Sequence, residues 1–206
     1  MLADSTVREI LAAFSAPDPT PGGGSASALA SAVGASLLMM VAGLAKTRNG
    51  SDDDRAALAS ASAALASIRD ELTAAIDTDA AAYDQVVEAY KLPKATPDEQ
   101  QARKVAIQRA VRAATDVPLS VMRLSVRGCE RAATIAGHGH RAAASDVGVA
   151  VALLRAGLEG AGLNVEINLE TVSDAAYIDA VRTEAATLMA QVADAAREVN
   201  ALLRNS

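Results

Sequence analysis

The apolar residues of this 206-residue chain recur three or four positions apart along most of its length, the spacing of one face of an α-helix. The pattern predicts a first helix at Leu2–Phe14. This helix is expected to end there, because residues 15–24 contain three prolines and three glycines. A second, almost uncharged helix is predicted from Ser25 to about Lys46 or Arg48.

Turn and capping signals divide the rest of the chain. Thr96 followed by Pro97 is typical of a capped helix start with proline in the first turn, and Pro118 is expected to divide or kink the next helix. The other predicted boundaries are a turn at Asn49–Asp52, a third helix ending near Tyr90, a loop at Lys91–Pro97, a break at Ala136–Arg141, a helix from Val147 to about Leu169 after Ser145–Asp146, and a last helix from a cap at Ser173–Asp174 to about Leu203.

The pattern as a whole predicts an all-α fold. Residues 1–206 are expected to form a single domain, a helical bundle of five to seven helices. Composition agrees: the chain has 50 alanines, no tryptophan and one phenylalanine, and alanine favours helices while aromatic residues favour strands. The wide helix faces of small residues favour a homodimer or a higher homo-oligomer joined through helix faces.

Charge and cysteine content exclude several classes of function. The formal net charge is −6, and a net acidic chain with few aromatic residues is a poor nucleic-acid binder. The lone Cys129 excludes a disulfide framework, and His138 and His140 lack the spacing of a known zinc site, so no metal is expected. No Walker A loop is present, and no nucleotide cofactor is expected.

One uncharged stretch is long enough to cross a bilayer. Residues 25–45 carry no charge. They are rich in alanine, serine and glycine, however, and lack flanking aromatic residues, which favours a buried helix over a membrane segment. No signal peptide is recognised at the start of the sequence, so the cytoplasm is the expected location.

The first candidate site is a glycine-rich loop that opens the second helix. Three successive glycines let a backbone approach a ligand closely, and the free N–H groups of a helix start attract a carboxylate, a phosphate or a polar ring edge. The alternative is a simple tight turn. The candidate binding residues are Pro21, Gly22, Gly23, Gly24 and Ser25.

The second candidate is a cluster of carboxylates within the long third helix. Asp79 and Tyr83 lie one turn apart on the same face, whereas Asp77 points elsewhere. A carboxylate on an apolar bundle face would have a raised pKa and could exchange protons near neutral pH. The alternative is a solvated helix face.

Other polar residues are weaker candidates. Ser145 and Asp146 suit either a helix cap or a second acid in a binding site, and Asn164 and Asn168 lie one turn apart and could line a polar pocket. A concentration of basic residues between 91 and 112 could attract a small polyanion or form a solvated face.

An ordered series of motifs resembles the cyclodeaminase/cyclohydrolase family. This family comprises the C-terminal domain of formiminotransferase-cyclodeaminase and stand-alone methenyltetrahydrofolate cyclohydrolases, and the resemblance covers about residues 5–200. The motifs are Pro19–Ser25, Asp77–Tyr83, Lys91–Lys94, Val117–Pro118, Ser145–Ala150 and Asn164–Leu169.

The resemblance implies an all-helical dimer that binds a tetrahydrofolate derivative as substrate. Family members hydrolyse 5,10-methenyltetrahydrofolate to 10-formyltetrahydrofolate, or cyclise 5-formiminotetrahydrofolate with release of ammonia. The resemblance implies that Asp79 is catalytic, and our hypothesis adds Asp146 as a positioning residue or a second acid. It also implies substrate binding by the glycine loop, Tyr83, Lys91, Ser145, Asn164 and Asn168, and leaves open whether basic residues contact a polyglutamate tail of the folate.

One stretch departs from the family pattern. Family members carry asparagines before the Ser-Asp pair, whereas this chain has Gly139–Ala144, which contains none. This departure motivates an alternative function, a non-catalytic helical oligomer or folate-binding module. A membrane-associated helical protein is a further alternative.

Overall fold

The computed structural model describes residues 1–204, and within them the fold is all-α, as predicted. Its six α-helices fall within the predicted range of five to seven. Short 3-10 turns at Leu2–Asp4 and Arg141–Ala143 accompany them. The helices are α1 Val7–Ser15, α2 Gly23–Ala42, α3 Asp52–Lys91, α4 Pro97–His138, α5 Ala144–Leu169 and α6 Ala175–Arg204.

The uncharged helix α2 lies within the bundle and packs against α3, α4 and α5. It is long and apolar enough to cross a membrane, but half of it is buried by the other helices. Its buried face consists of alanines, serines and glycines together with Leu38 and Val41. Such a small-residue face lets α2 and α5 approach closely and bury the larger side chains of their neighbours.

Gly157 marks the closest approach of α5 to α2. A Cβ added there would lie 2.6 Å from the carbonyl oxygen of Ser27 and would overlap the hydroxyl of Ser31. Ser31 in turn shares a 2.7 Å hydrogen bond with Ser125 of α4, so the buried hydroxyls remain paired. Three helices therefore meet without a bulky side chain between them.

The predicted helix starts at Ser51 and Thr96 are confirmed. The Ser51 hydroxyl accepts a hydrogen bond from the Asp54 backbone N–H at 3.1 Å. Thr96 and Glu99 form a reciprocal capping box, with Pro97 as the first helical residue. Before α6, the carboxylate of Asp174 accepts from the Tyr177 N–H at 3.1 Å, which matches the predicted cap.

Pro118 does not divide the fourth helix, because α4 continues through it from Pro97 to His138. A proline has no N–H to donate to the carbonyl four residues earlier, here that of Ala114. The Asn168 side chain of α5 donates to this carbonyl at 2.9 Å. A neighbouring helix thus supplies the missing hydrogen bond. Of the two predicted effects of Pro118, division of the helix is wrong, and a kink stays a prediction.

Three other predicted boundaries also differ. The first α-helix begins at Val7, after a 3-10 turn at Leu2–Asp4, and not at Leu2 as predicted. Ser145 and Asp146 do not cap α5, because the helix begins at Ala144 and its N-cap residue is Ala143, without a side-chain hydrogen bond. Helix α2 ends at Ala42, short of Lys46. The chain leaves this helix because residues 47–48 pair with the end of α4: the Arg48 N–H donates to the His138 carbonyl at 2.8 Å.

A buried carboxylate fixes this connection between α2 and α3. Asp54 accepts hydrogen bonds from the Asn49 backbone N–H at 2.7 Å and from the Thr47 hydroxyl at 3.2 Å. Its other oxygen lies 2.9 Å from Nδ1 of His138 at the end of α4. The hydrogen bonds from His138 and Asn49 hold the pKa of Asp54 well below its usual range.

Replacing Asp54 with asparagine is expected to lower the Tm at pH 7. A carboxylate with a depressed folded pKa stabilises the fold above its unfolded pKa of about 3.9, and this contribution is lost as the pH falls through the folded pKa. The Tm difference between wild type and Asp54→Asn should therefore narrow below about pH 4. Thermal unfolding from pH 3 to 7 measures it. The exposed neighbour provides the control Asp53→Asn, and equal Tm values for wild type and Asp54→Asn at pH 7 would contradict the prediction.

Candidate active site

A cavity of about 310 Å³ lies where the start of α2, the middle of α3, and parts of α4 and α5 meet. Its volume is at the lower end of the range for small-molecule sites. The side chains around it are apolar, aromatic, amide or hydroxyl groups and one carboxylate. Its lining residues are Pro19, Thr20, Gly22, Gly23, Gly24, Asp79, Tyr83, Val86, Tyr90, Val111, Ala114, Asn164, Ile167, Asn168 and Thr171.

Asp79 is the carboxylate of the cavity. Burial raises its pKa, against the opposing effect of hydrogen bonds from the Ser25 hydroxyl and the Ser25 backbone N–H. The Ser25 hydroxyl lies 3.0 Å from Oδ2 of Asp79. No lysine, arginine or histidine is among the lining residues of the described chain, so no cation neutralises the carboxylate there. Such a group can take up or release a proton and can stabilise a cationic ligand.

Gly24 allows the start of α2 to lie directly against Asp79. A Cβ at this position would overlap both oxygens of the carboxylate, with Oδ1 the nearest atom and Oδ2 2.6 Å away. Gly22 is the N-cap residue of α2, and the first N–H groups of a helix have no partner within the helix. The cavity therefore has both the carboxylate and the positive end of a helix dipole at one side.

Asn164 and Asn168 of α5 bring two amide groups to the cavity, and the Asn164 amide lies beside Gly23 at the start of α2. Asn164 donates through Nδ2 to the carbonyl of Gly160 at 2.8 Å, and Asn168 donates to the carbonyl of Ala114. Each amide nitrogen is thus held by backbone, which leaves the amide oxygens as the groups able to accept hydrogen bonds from a ligand.

Two tyrosines extend the Asp79 face of α3. Asp79, Tyr83 and Tyr90 all line the cavity, together with Val86. Positions 79, 83, 86 and 90 are spaced by four, three and four residues, so they form one helix face. Tyr83 is 42% exposed. Its ring and that of Tyr90 offer flat surfaces against which a heteroaromatic ring can pack.

The structure brings together seven of the predicted site residues. Gly22, Gly23, Gly24, Asp79, Tyr83, Asn164 and Asn168 all line the cavity. Ser25 is fully buried behind Asp79 and does not reach the cavity surface. Its serine hydroxyl contacts the candidate acid–base group and is shielded from a ligand.

Four predicted site residues lie elsewhere in the chain. Pro21 borders a separate depression beside Asp77, and Lys91 is paired with Glu88 at 2.7 Å on the surface. Ser145 and Asp146 lie at the start of α5, about 27 Å along the helix from Asn164. The stretch that departs from the family pattern, residues 139–144, is at that same distant end of α5.

Asp77 has a structural contact. Its carboxylate accepts hydrogen bonds from the backbone N–H groups of Leu2 at 2.5 Å and Ala3 at 3.3 Å. It therefore ties the N-terminal segment to α3. This agrees with the sequence-based choice of Asp79 over Asp77 as the residue that faces the site.

Several lining residues were not predicted from the sequence. Tyr90 and Val86 could have been found, because they continue the three-and-four spacing from Asp79 and Tyr83. Val111, Ala114 and Thr171 had no such signal, since only the packing of α4 and α5 brings them to α3. Within residues 1–204, no group of three or more histidine, cysteine, aspartate or glutamate residues is arranged to hold a metal ion.

Comparisons with known proteins identify the family of the chain. Residues 6–187 match the family described as formiminotransferase-cyclodeaminase. The chain is 36% identical to a methenyltetrahydrofolate cyclohydrolase of Methylorubrum extorquens, over 93% of this chain and 92% of that protein. It is 32% identical to the formimidoyltransferase-cyclodeaminase of Gallus gallus, over 89% of this chain and 33% of that longer protein.

A solved structure shares the whole fold. The formiminotetrahydrofolate cyclodeaminase of Thermotoga maritima superposes with a TM-score of 0.88 at 25% identity, covering 100% of this chain and 98% of that one. Fold and site together define an all-α protein with a part-buried carboxylate in a small-molecule cavity. The chain belongs to the formiminotransferase-cyclodeaminase family, which confirms the resemblance found in its sequence.

Proposed function

We propose that this protein is a cytoplasmic, single-domain enzyme of folate one-carbon metabolism that hydrolyses 5,10-methenyltetrahydrofolate to 10-formyltetrahydrofolate. The observation that carries the proposal is Asp79, a half-buried carboxylate in a cavity without a neutralising cation among the lining residues described. The methenyl bridge between N5 and N10 is a delocalised cation, so an unneutralised carboxylate binds it and can also move its protons. The similarity to the M. extorquens cyclohydrolase over both chains supports this reaction.

In the hydrolysis, Asp79 acts first as a general base and then as a general acid. Water attacks the methenyl carbon while the Asp79 carboxylate accepts a proton from it. The resulting carbinol carbon is bonded to both N5 and N10. Its bond to N5 then breaks, N5 takes the proton from Asp79, and the carbinol oxygen releases its own proton to become the formyl oxygen. The sum is one water consumed and one proton released.

Cyclisation of 5-formiminotetrahydrofolate is the second candidate, and the similarity to the T. maritima cyclodeaminase supports it. In this reaction N10 attacks the carbon of the protonated formimino group (N5–CH=NH2⁺) and loses its own proton. The resulting amino nitrogen gains one proton, its bond to the carbon breaks, and it leaves as ammonia, which gives the methenyl cation. Asp79 can accept the first proton and supply the second. The same cavity therefore suits both reactions, which share the carbon that bridges N5 and N10.

The other lining groups suit the rest of a folate. The amide oxygens of Asn164 and Asn168 can accept hydrogen bonds from N–H groups of the pterin, and Tyr83 and Tyr90 can pack against its ring. An open groove of about 550 Å³ on the outer side of α4 includes Lys104 and Arg109. We propose this groove for the glutamate tail, because its cations attract carboxylates.

The near-ultraviolet absorbance of 5,10-methenyltetrahydrofolate tests the proposal. Purified protein is expected to speed the loss of this band beyond the spontaneous rate. If it does not, 5-formiminotetrahydrofolate is supplied and a rise of the same band identifies the cyclodeaminase. No change with either substrate, together with folate binding, would overturn the enzymatic proposal in favour of a folate-binding module.

We also propose that the protein forms a homodimer through the outer faces of α2 and α5. Each helix has an uncharged row of residues spaced alternately by four and three on its solvent side, the pattern of a helix–helix seam. Leu163 is 75% exposed and Ile167 59% exposed in this row. The rows are Ala26, Ala30, Val33, Leu37 and Met40 in α2, and Val149, Leu153, Ala156, Gly160, Leu163 and Ile167 in α5.

Charge beside the α5 row favours a second copy of the chain running antiparallel. Arg155 and Glu159 form an exposed ion pair within α5 at 3.4 Å, two residues on either side of Gly157, which itself faces α2. Two antiparallel α5 helices whose outer faces cross at the level of Gly157 would exchange this pair, so that Arg155 meets Glu159 of the partner subunit. The same crossing brings Asp146 of the partner subunit opposite Asn168, since each lies 11 positions from Gly157. This arrangement supports a role for Ser145 and Asp146 in the site of the neighbouring subunit.

A charge introduced into the α5 row is expected to separate the dimer. Leu163→Glu would bury two unpaired carboxylates in the seam, so light scattering at micromolar concentration should change from dimer to monomer. Met189 of α6 is also an exposed large apolar residue and provides the control Met189→Glu, which should remain dimeric. A wild-type protein that is monomeric at this concentration would overturn the proposal.

A further inference from the structure

A buried serine lies behind the candidate acid–base group. The Ser25 hydroxyl oxygen is 3.0 Å from Oδ2 of Asp79 and 2.9 Å from the carbonyl oxygen of Ile76. Ser25 is 0% exposed, so no ligand in the cavity can contact it. A hydroxyl has one hydrogen, and therefore Ser25 has two acceptors for a single donor.

The two acceptors give the hydroxyl a partner in either protonation state of Asp79. When Asp79 is ionised, Ser25 donates to the charged Oδ2, because a hydrogen bond to a charged acceptor is the stronger one. When Asp79 is protonated, Oδ2 becomes a weaker acceptor and the hydrogen can turn to the Ile76 carbonyl. Only a hydrogen moves between the two arrangements.

Other groups around Asp79 leave this serine as its main hydrogen-bonding partner. Tyr83 and Tyr90 are the other titratable residues of the described cavity lining, both from α3. The cavity residues from α4 are Val111 and Ala114, and those from α5 and the segment after it are uncharged. On the α2 side, Gly24 lies against the carboxylate and leaves no room for it to turn that way.

We propose that Ser25 is a positioning residue: it holds Oδ2 of the ionised Asp79 carboxylate and turns its hydrogen to the Ile76 carbonyl when Asp79 is protonated, so that the carboxylate keeps one orientation in both protonation states. The inference rests on the proposed function, in which Asp79 must both accept and donate a proton within one turnover. It differs from the role suggested by the glycine-loop motif, in which Ser25 binds substrate.

The test compares Ser25→Ala with Ser25→Thr, which keeps the hydroxyl. Ser36→Ala is the control, because the hydroxyl of Ser36 in α2 forms its hydrogen bond within the same helix. In Ser25→Ala the kcat is expected to fall roughly tenfold with little change in KM. The hydrogen bond from the Ser25 hydroxyl lowers the pKa of Asp79, whereas burial raises it. Loss of this hydrogen bond should therefore move the acidic limb of the kcat–pH profile to higher pH, by about one pH unit. Ser25→Thr should restore both values toward wild type, and Ser36→Ala should change neither.

A readout without turnover separates this inference from the proposed function. Carbon-13 NMR of the aspartate carboxyl groups, assigned with Asp79→Asn, follows the titration of Asp79 directly. A higher Asp79 pKa in folded Ser25→Ala than in wild type supports the inference even if neither folate is turned over. An unchanged Asp79 titration, or a loss of Tm in Ser25→Ala with an unchanged pH profile, would overturn it and leave Ser25 a packing residue.

Discussion

Asp79→Asn is expected to lower kcat by roughly 10²–10⁴-fold, the usual contribution of a positioned acid–base group. Asparagine has nearly the same shape as aspartate, but it cannot accept a proton from water or return one to N5. It also removes the negative charge beside the cationic bridge. Because burial raises the pKa of Asp79 and so disfavours its ionised form, a neutral amide should leave the Tm unchanged or slightly higher.

Asp84 provides the matched control for this substitution. It lies on α3 five residues after Asp79 but borders the depression beside Asp77 instead of the cavity. Asp84→Asn is therefore expected to retain wild-type turnover. The absorbance assay measures kcat for both variants, with circular dichroism to verify the helical content. Full turnover by Asp79→Asn would remove the acid–base role from this residue.

Gly24→Ala is expected to cause the second-largest loss, roughly 10²-fold in kcat. The new methyl group would overlap the Asp79 carboxylate, so either that carboxylate or the start of α2 must shift. Either movement displaces the carboxylate from the position in which it would meet the bridging carbon of the substrate. The same overlap should destabilise the fold by about 1–3 kcal/mol, the usual cost of overpacking.

Gly137→Ala is the control for added volume at a glycine. Position 137 lies within α4, and a Cβ there meets no atom within 4 Å. This variant should keep wild-type turnover and, because alanine favours helix, unfold at the same or a higher urea concentration. Kinetics and urea unfolding of both variants measure the two effects. Wild-type kcat in Gly24→Ala would show that the close approach of α2 to Asp79 is not needed for turnover.

Most of the helices could be predicted because their signals are local. Alanine content, three-and-four spacing and the caps at Ser51, Thr96 and Asp174 act within one or two turns of the chain. The errors arose where distant residues compensate for a local signal. In the sequence, Pro118 predicts a divided or kinked helix. In the structure, Asn168 from another helix donates to the carbonyl that the proline leaves without a partner.

In the candidate active site, too, some features could be predicted from local sequence and others depend on the packing of distant helices. The face shared by Asp79 and Tyr83 follows from helix periodicity, and the glycine loop follows from its composition. That the loop meets this face depends on the packing of α2 against α3, which brings Gly24 onto the carboxylate. Ser145 and Asp146 belong to one of the sequence motifs that resemble the family. They nevertheless lie at the start of α5, and the length of that helix separates them from the cavity of their own chain.

The sequence by itself determined the all-α class, the family and the carboxylate that faces the cavity, because composition, spacing and motif order are properties of the chain alone. Only the tertiary structure decided what surrounds that carboxylate. Burial raises the pKa of Asp79, and Ser25, 54 positions earlier in the chain, hydrogen-bonds to it. Proton transfer depends on the local dielectric and on hydrogen-bond geometry, and both are set by residues far apart in sequence.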